Sequence, residues 1–172
     1  GFGRTGKMFG FENYNVIPDV VLFAKALGGG YPLGAFTSSE EIMNCLSEDP
    51  PLGHITTFGG HPVSCAAAIA NIEILISDSI VENVKDKGEL FKSLLHHDLI
   101  AEVRGIGLML AVQLQNADQA RKSMDTCREL GLITDWFLFA NDCLRIAPPL
   151  TISEEEIDAA SKIILRSLDR IG

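Results

Sequence analysis

The feature that most constrains this fold is a change in character at Ser77-Asp78-Ser79. Before it lie apolar segments separated by glycines, and after it charged amphipathic stretches alternate with short apolar runs. One periodicity does not cover both halves, so the expectation is an α/β protein of two lobes, residues 1–79 and 80–172. In the first lobe, 1–18 reads as a loop rich in glycine and aromatics, 20–24 as a strand and 31–37 as a loop running into a second strand. A short helix starts at Glu40, and Pro62 opens a helix to about Ile76 that is apolar on most faces, a pattern that predicts burial on several sides. In the second lobe, the spacing predicts helices over 80–95 and 117–130 and a strand pair, 100–103 and 107–114, around a turn at Arg104–Gly107. Further strands are expected at 132–134 and 143–146. A last helix is announced by the Ser153/Glu156 capping box and by Ile157, Ala160, Ile164, Leu168 and Ile171.

Composition narrows the classes of partner. With 47% hydrophobic residues, the 172-residue chain can bury a real core, and its net charge of −9, without a basic stripe, argues against nucleic acid or an anionic membrane surface. Small molecules are the expected ligands. Cys45, Cys65, Cys127 and Cys143 form no CxxC pair and no metal-ligand spacing, so they read as buried thiols of a reducing compartment, the cytoplasm. No apolar run approaches the roughly 18 residues of a membrane span, and the start Gly1-Phe2-Gly3-Arg4 resembles neither an initiator methionine nor a signal peptide. A beginning in mid-protein is therefore expected.

Three positions carry chemistry. Lys25 follows Val20–Ala24 and precedes Ala26-Leu27-Gly28-Gly29-Gly30. In an apolar pocket the ammonium form is disfavoured, and the free amine becomes a nucleophile for Schiff-base formation with carbonyls. A lysine beside a strand can also simply lift its charge into water. Thr56-Thr57-Phe58-Gly59-Gly60 before the Pro62 helix offers hydroxyls and backbone N–H groups suited to a phosphate, and equally to ordinary capping. Arg145, among apolar neighbours in 143–150, suits the two-bond grip of a carboxylate or the solvent face of an edge strand. Gly1–Gly6 spells GxGxxG and Gly1–Lys7 spells GxxxxGK, but the strand and helix context of the first is not visible, Met8-Phe9-Gly10-Phe11 being no convincing amphipathic helix, and Met8 stands where the second needs Ser or Thr. The four histidines show no metal or triad pattern, Arg104 reads as structural, and Glu154-Glu155-Glu156 suits a helix N-terminus.

In order along the chain, GFGRTGKMFGFENYNVIPDVVLFAKALGGGYPLGAF, TTFGGHP, VRGIGLML and LRIAPPLTISEEEID resemble the class III pyridoxal-phosphate-dependent aminotransferases, the ornithine, acetylornithine and ω-aminotransferase family. The resemblance implies the type I fold of pyridoxal-phosphate enzymes, this chain being the carboxy-terminal portion of the large domain plus an α+β small domain. It implies that Lys25 holds pyridoxal 5'-phosphate and moves the substrate proton, and that Thr57 bonds the phosphate from the partner subunit of a homodimer. It also implies that Arg145 holds the α-carboxylate of an amino or oxo acid. His61 departs from the asparagine usual after the paired glycines. The family's acidic partner of the pyridine nitrogen, its glycine-rich phosphate loop and its ring-stacking aromatic belong to segments before the stretch matching Gly1. The expectation is thus a fragment that does not transaminate alone, from a parent that moves an amino group from an ω-amine or amino acid to an oxo acid, 2-oxoglutarate first. The alternatives are a non-catalytic remnant, or an aminomutase or racemase on the same fold.

Overall fold

The computed structural model describes residues 1–172 and divides into two compact units, Gly1–Phe2 with Phe9–Ser79, and Gly3–Met8 with Ile80–Gly172. In the first unit, the apolar run before Lys25, two valines followed by Leu22 and Phe23, forms β1 (Val20–Phe23), which pairs antiparallel with β2 (Ala35–Ser38), Phe23 standing opposite Ala35. Phe23 meets Phe2 and Phe9 with ring centroids 5.8 and 5.4 Å away, and this cluster fixes the end of β1. The stretch expected to be irregular contains a short 3-10 helix, Gly10–Tyr14. Helix α1 (Glu40–Asn44) starts at Ser39, whose hydroxyl accepts from the Ile42 N–H.

Helix α2 (Pro62–Ser77) forms where the Pro62 signal predicts it, but its expected burial does not follow. Only Ser64, Ala68 and Leu75 are buried, while Val63, Ile69, Ile74 and Ile76 stay exposed. The physical reason is a shortage of layers: β1 and β2 make a two-stranded sheet, and the main neighbour of α2 in the unit is one 3-10 turn, Lys25–Gly28.

The second unit has a full core. Strands β3 (Glu102–Ile106), β4 (Met109–Gln113), β5 (Asp135–Phe137) and β6 (Ala140–Ile146) form an antiparallel sheet in the order β3-β4-β6-β5. Alternate residues Leu110, Val112, Leu144 and Ile146 pack with Phe91 of α3 (Val84–Leu94), Cys127 of α4 (Ala117–Glu129) and Ile157, Ile164 and Leu168 of α5 (Glu154–Ile171). The capping box of α5 is present, the Ser153 hydroxyl accepting from the Glu156 N–H at 3.2 Å.

Boundaries moved where turns were misjudged. The β3–β4 turn is at Gly107-Leu108, so Arg104 lies within β3, and the strand expected at 132–134 starts at Asp135. The thiols also differ from expectation: Cys127 and Cys143 are buried, but Cys45 is exposed and Cys65 half-buried, because both lie in the thinly layered first unit. No helix is long and apolar enough to cross a membrane.

The closest helix-to-turn approach sets a stability prediction. A Cβ at Gly88 in α3 would stand 2.2 Å from the Gly107 carbonyl oxygen, a backbone atom that cannot rotate away. Gly88→Ala is expected to destabilise the second unit by about 3 kcal/mol through overpacking. Trp136, the single tryptophan, lies in β5 and reports on this unit, so its fluorescence in urea should show an earlier midpoint. An unchanged midpoint would show that α3 shifts at no cost.

Candidate active site

Lys25 is the first residue of the 3-10 turn that ends β1, and its backbone has φ +52°, the left-handed region that only glycine enters freely. Ala24 before it is almost fully extended, so the chain reverses sharply at the lysine. The turn is pinned from α2: the Asn71 amide donates to the Ala26 carbonyl at 2.8 Å. Gly29, with φ +57°, lies so close to α2 that a Cβ there would stand 2.7 Å from the Ala67 carbonyl oxygen. A strained residue held by such anchors is a feature of functional sites, where surroundings over-determine an unfavourable conformation.

The apolar pocket expected around Lys25 is not formed by the described residues; the side chain is exposed. The two-stranded sheet has no second layer that could close over the end of β1. Lys25 takes part in no ion pair, so its amine is uncommitted.

Thr57 lies in the exposed turn before α2, where Gly59 N–H donates to the Thr56 carbonyl at 3.1 Å and Gly60 has φ +67°. The N-cap of α2 is His61, which makes no side-chain capping bond. Hydroxyls and backbone N–H groups in this turn are chemically suited to a phosphate. No hydrogen bond or ion pair joins Thr57 to Lys25 in this chain.

Arg145 stands in β6, an interior strand, so the solvent face of an edge strand is not its setting. It belongs to the sheet face opposite the helices, in a row that runs Arg104, Ala111, Arg145, Asp135 across the four strands. Its Nη2 donates to Asp135 Oδ2 at 2.5 Å. Asp135 Oδ1 in turn accepts from the Trp136 N–H at 2.9 Å, and Thr134 Oγ1 donates to the Arg145 carbonyl at 2.8 Å. On the same face, Arg104 donates to Glu102, to Gln113 and, at 3.5 Å, to Cys143 Sγ. Burial is the main cause that raises the Cys143 thiol above its usual pKa, so it stays protonated there.

Sequence reasoning missed two residues. Asn71 was the one amide in the middle of an apolar helix, and that isolation was a signal. Asp135 could be found only from the β5–β6 register, which puts it opposite Arg145 although ten positions separate them.

The sequence profile described as Aminotransferase class-III matches residues 1–168. The chain belongs to the class III aminotransferase family. It is 39% identical over 169 residues to an acetylornithine aminotransferase of Methanothermobacter thermautotrophicus, covering 95% of this chain and 42% of that protein. Against ornithine aminotransferase 1 of Staphylococcus saprophyticus the identity is 38% over 177 residues, with 99% of this chain and 42% of that protein covered. Among solved structures, an aminotransferase of Bacillus anthracis superposes with a TM-score of 0.90 at 34% identity, over 99% of this chain and 43% of that one. An ornithine aminotransferase of Plasmodium yoelii gives 0.89 at 32%, over 100% and 46%. This class III chain therefore has the mixed α/β fold of the carboxy-terminal part of type I pyridoxal-phosphate-dependent transferases, and it spans about two-fifths of the length of the curated relatives it matches.

Proposed function

We propose that a class III protein of the relatives' full length, containing this chain, transfers an amino group from an ω-amine or amino acid to an oxo acid, with 2-oxoglutarate as the leading acceptor. The observation that carries this reading is the family match over residues 1–168, with an uncommitted, conformationally strained lysine at the end of β1. The chain's own groups suit pyridoxal 5'-phosphate: an amine free of ion pairs, and a hydroxyl-bearing turn before an N-cap that lacks a side-chain bond. When bound, that cofactor supplies the electron sink that stabilises a carbanion.

Lys25 would hold the cofactor through Nζ and, once displaced by substrate, take the proton from the amine-bearing carbon and return it, nucleophile and general base in turn. Thr57 Oγ1 would donate to the phosphate, in a homodimer from the partner subunit. Arg145 would orient the carboxylate of the amino or oxo acid by paired N–H donation. Residues 1–79 would then be the end of the large domain and 80–172 the small one, in a protein of the cytoplasm. Four cysteines without a disulfide support the reducing compartment.

The test is transfer of nitrogen-15 from a labelled amine donor to 2-oxoglutarate by the full-length protein with pyridoxal phosphate. Label should appear in the product amino acid and depend on both donor and acceptor. Absence of transfer from every amine donor, with Lys25 intact, would overturn the reading.

A further inference from the structure

Asp135 stands directly opposite Arg145 on the neighbouring strand, and its carboxylate is held at both ends. One oxygen accepts from Arg145 Nη2 at 2.5 Å and the other from the Trp136 N–H at 2.9 Å. The nitrogen it occupies matters, because a guanidinium grips a carboxylate with two parallel bonds through either of two edges, and Nη2 belongs to both. A ligand that takes Arg145 by its remaining edge must therefore bring its negative charge beside that of Asp135. The alternative is to displace an aspartate anchored by backbone pairing and by the Trp136 N–H.

We propose that Asp135 is a specificity-determining residue of the Arg145 contact, an internal carboxylate that lowers its affinity for ligand carboxylates and penalises doubly charged acids most. The proposal rests on the reading of Arg145 as the carboxylate contact. It also gives the ion pair a use. In a reaction of two half-reactions each carboxylate ligand must leave before the next enters, and with Asp135 on Nη2 no bare cation remains when the site is empty.

Magnitude follows from exposure. The Arg145 and Asp135 side chains are 38% and 48% exposed, so their charges act through a largely aqueous medium and the effect is modest. Asp135→Asn removes the charge, keeps its one oxygen as acceptor for the Trp136 N–H, and leaves the amide nitrogen, a donor, on the side of Arg145. It should tighten binding of 2-oxoglutarate about five-fold and of pyruvate, which has one carboxylate, about two-fold. Both gains should shrink when salt is raised from about 0.05 to about 0.5 M, since screening acts on charge and not on shape.

The experiment is titration calorimetry of the full-length protein with 2-oxoglutarate and with pyruvate, for wild type, Asp135→Asn and Arg145→Gln, with circular dichroism and the urea midpoint verifying that each variant is folded. If Asp135→Asn disturbs β5, Asp135→Ser, which keeps a hydroxyl acceptor, serves in its place. Tighter, salt-sensitive binding with the dicarboxylate gaining more would support the proposal. If Arg145→Gln loses binding while the Asp135 variants bind no better than wild type, the role of Asp135 falls and Arg145 stands. If Arg145→Gln binds as well as wild type, the reading of Arg145 falls and the role of Asp135 with it.

Discussion

Lys25→Ala should abolish covalent capture of pyridoxal phosphate at this position and lower nitrogen transfer by the full-length protein by about three to four orders of magnitude. The Asn71 amide, which the fold fixes against this turn, is engaged with the Ala26 carbonyl and carries no basic nitrogen that could replace the lysine. The left-handed backbone at Lys25 adds a second readout that is independent of activity. Because φ is +52°, any residue with a Cβ is strained there, and Lys25→Gly should be about 1 kcal/mol more stable than Lys25→Ala. Both variants should be inactive, yet they should separate in a urea titration followed by circular dichroism. If the two denature alike, the turn is not strained and its geometry at the lysine has another origin.

The second large effect is expected at Arg145. Arg145→Gln should reduce kcat/KM for the oxo acid about 100-fold, the loss of charge-assisted hydrogen bonds to one carboxylate. Arg145→Lys should recover only part of this, because an ammonium group supplies a point charge but not two parallel donors. The change should fall on the carboxylate-bearing substrate. An amine donor without a carboxylate should react in its own half-reaction at nearly the wild-type rate, measured by single-turnover kinetics. Equal losses for both substrates would mean that Arg145 maintains the sheet instead of binding a ligand.

Much of this was legible in the residues because local signals were strong. Pro62 and the Ser153/Glu156 box fixed the starts of α2 and α5, and the repeat of Ile157, Ile164 and Leu168 marked the buried face of α5. Turn positions were harder. Arg104-Gly105-Ile106-Gly107 has two glycines in positive φ, and either could have led the reversal; the chain uses Gly107, which moved Arg104 into β3. Exposure was the larger failure. An apolar sequence such as that of α2, or the run before Lys25, predicts burial only if some other layer exists to cover it, and the first unit offers a two-stranded sheet. Lys25 does follow the first strand, as its sequence neighbours predict, but the apolar residues from which a pocket is expected do not close around it in space. The Asp135–Arg145 pair illustrates the same limit from the other side: it depends on strand register, which composition and helical spacing do not encode.

Whether Lys25 is the cofactor lysine is decided by reduction with borohydride in the presence of stoichiometric pyridoxal phosphate, followed by peptide mapping of the full-length protein. Within this chain one modified peptide is expected, carrying the adduct on Lys25 and absent from Lys25→Ala. Labelling scattered over Lys7, Lys85, Lys87, Lys92, Lys122 and Lys162, with Lys25 no more reactive than these, would contradict it.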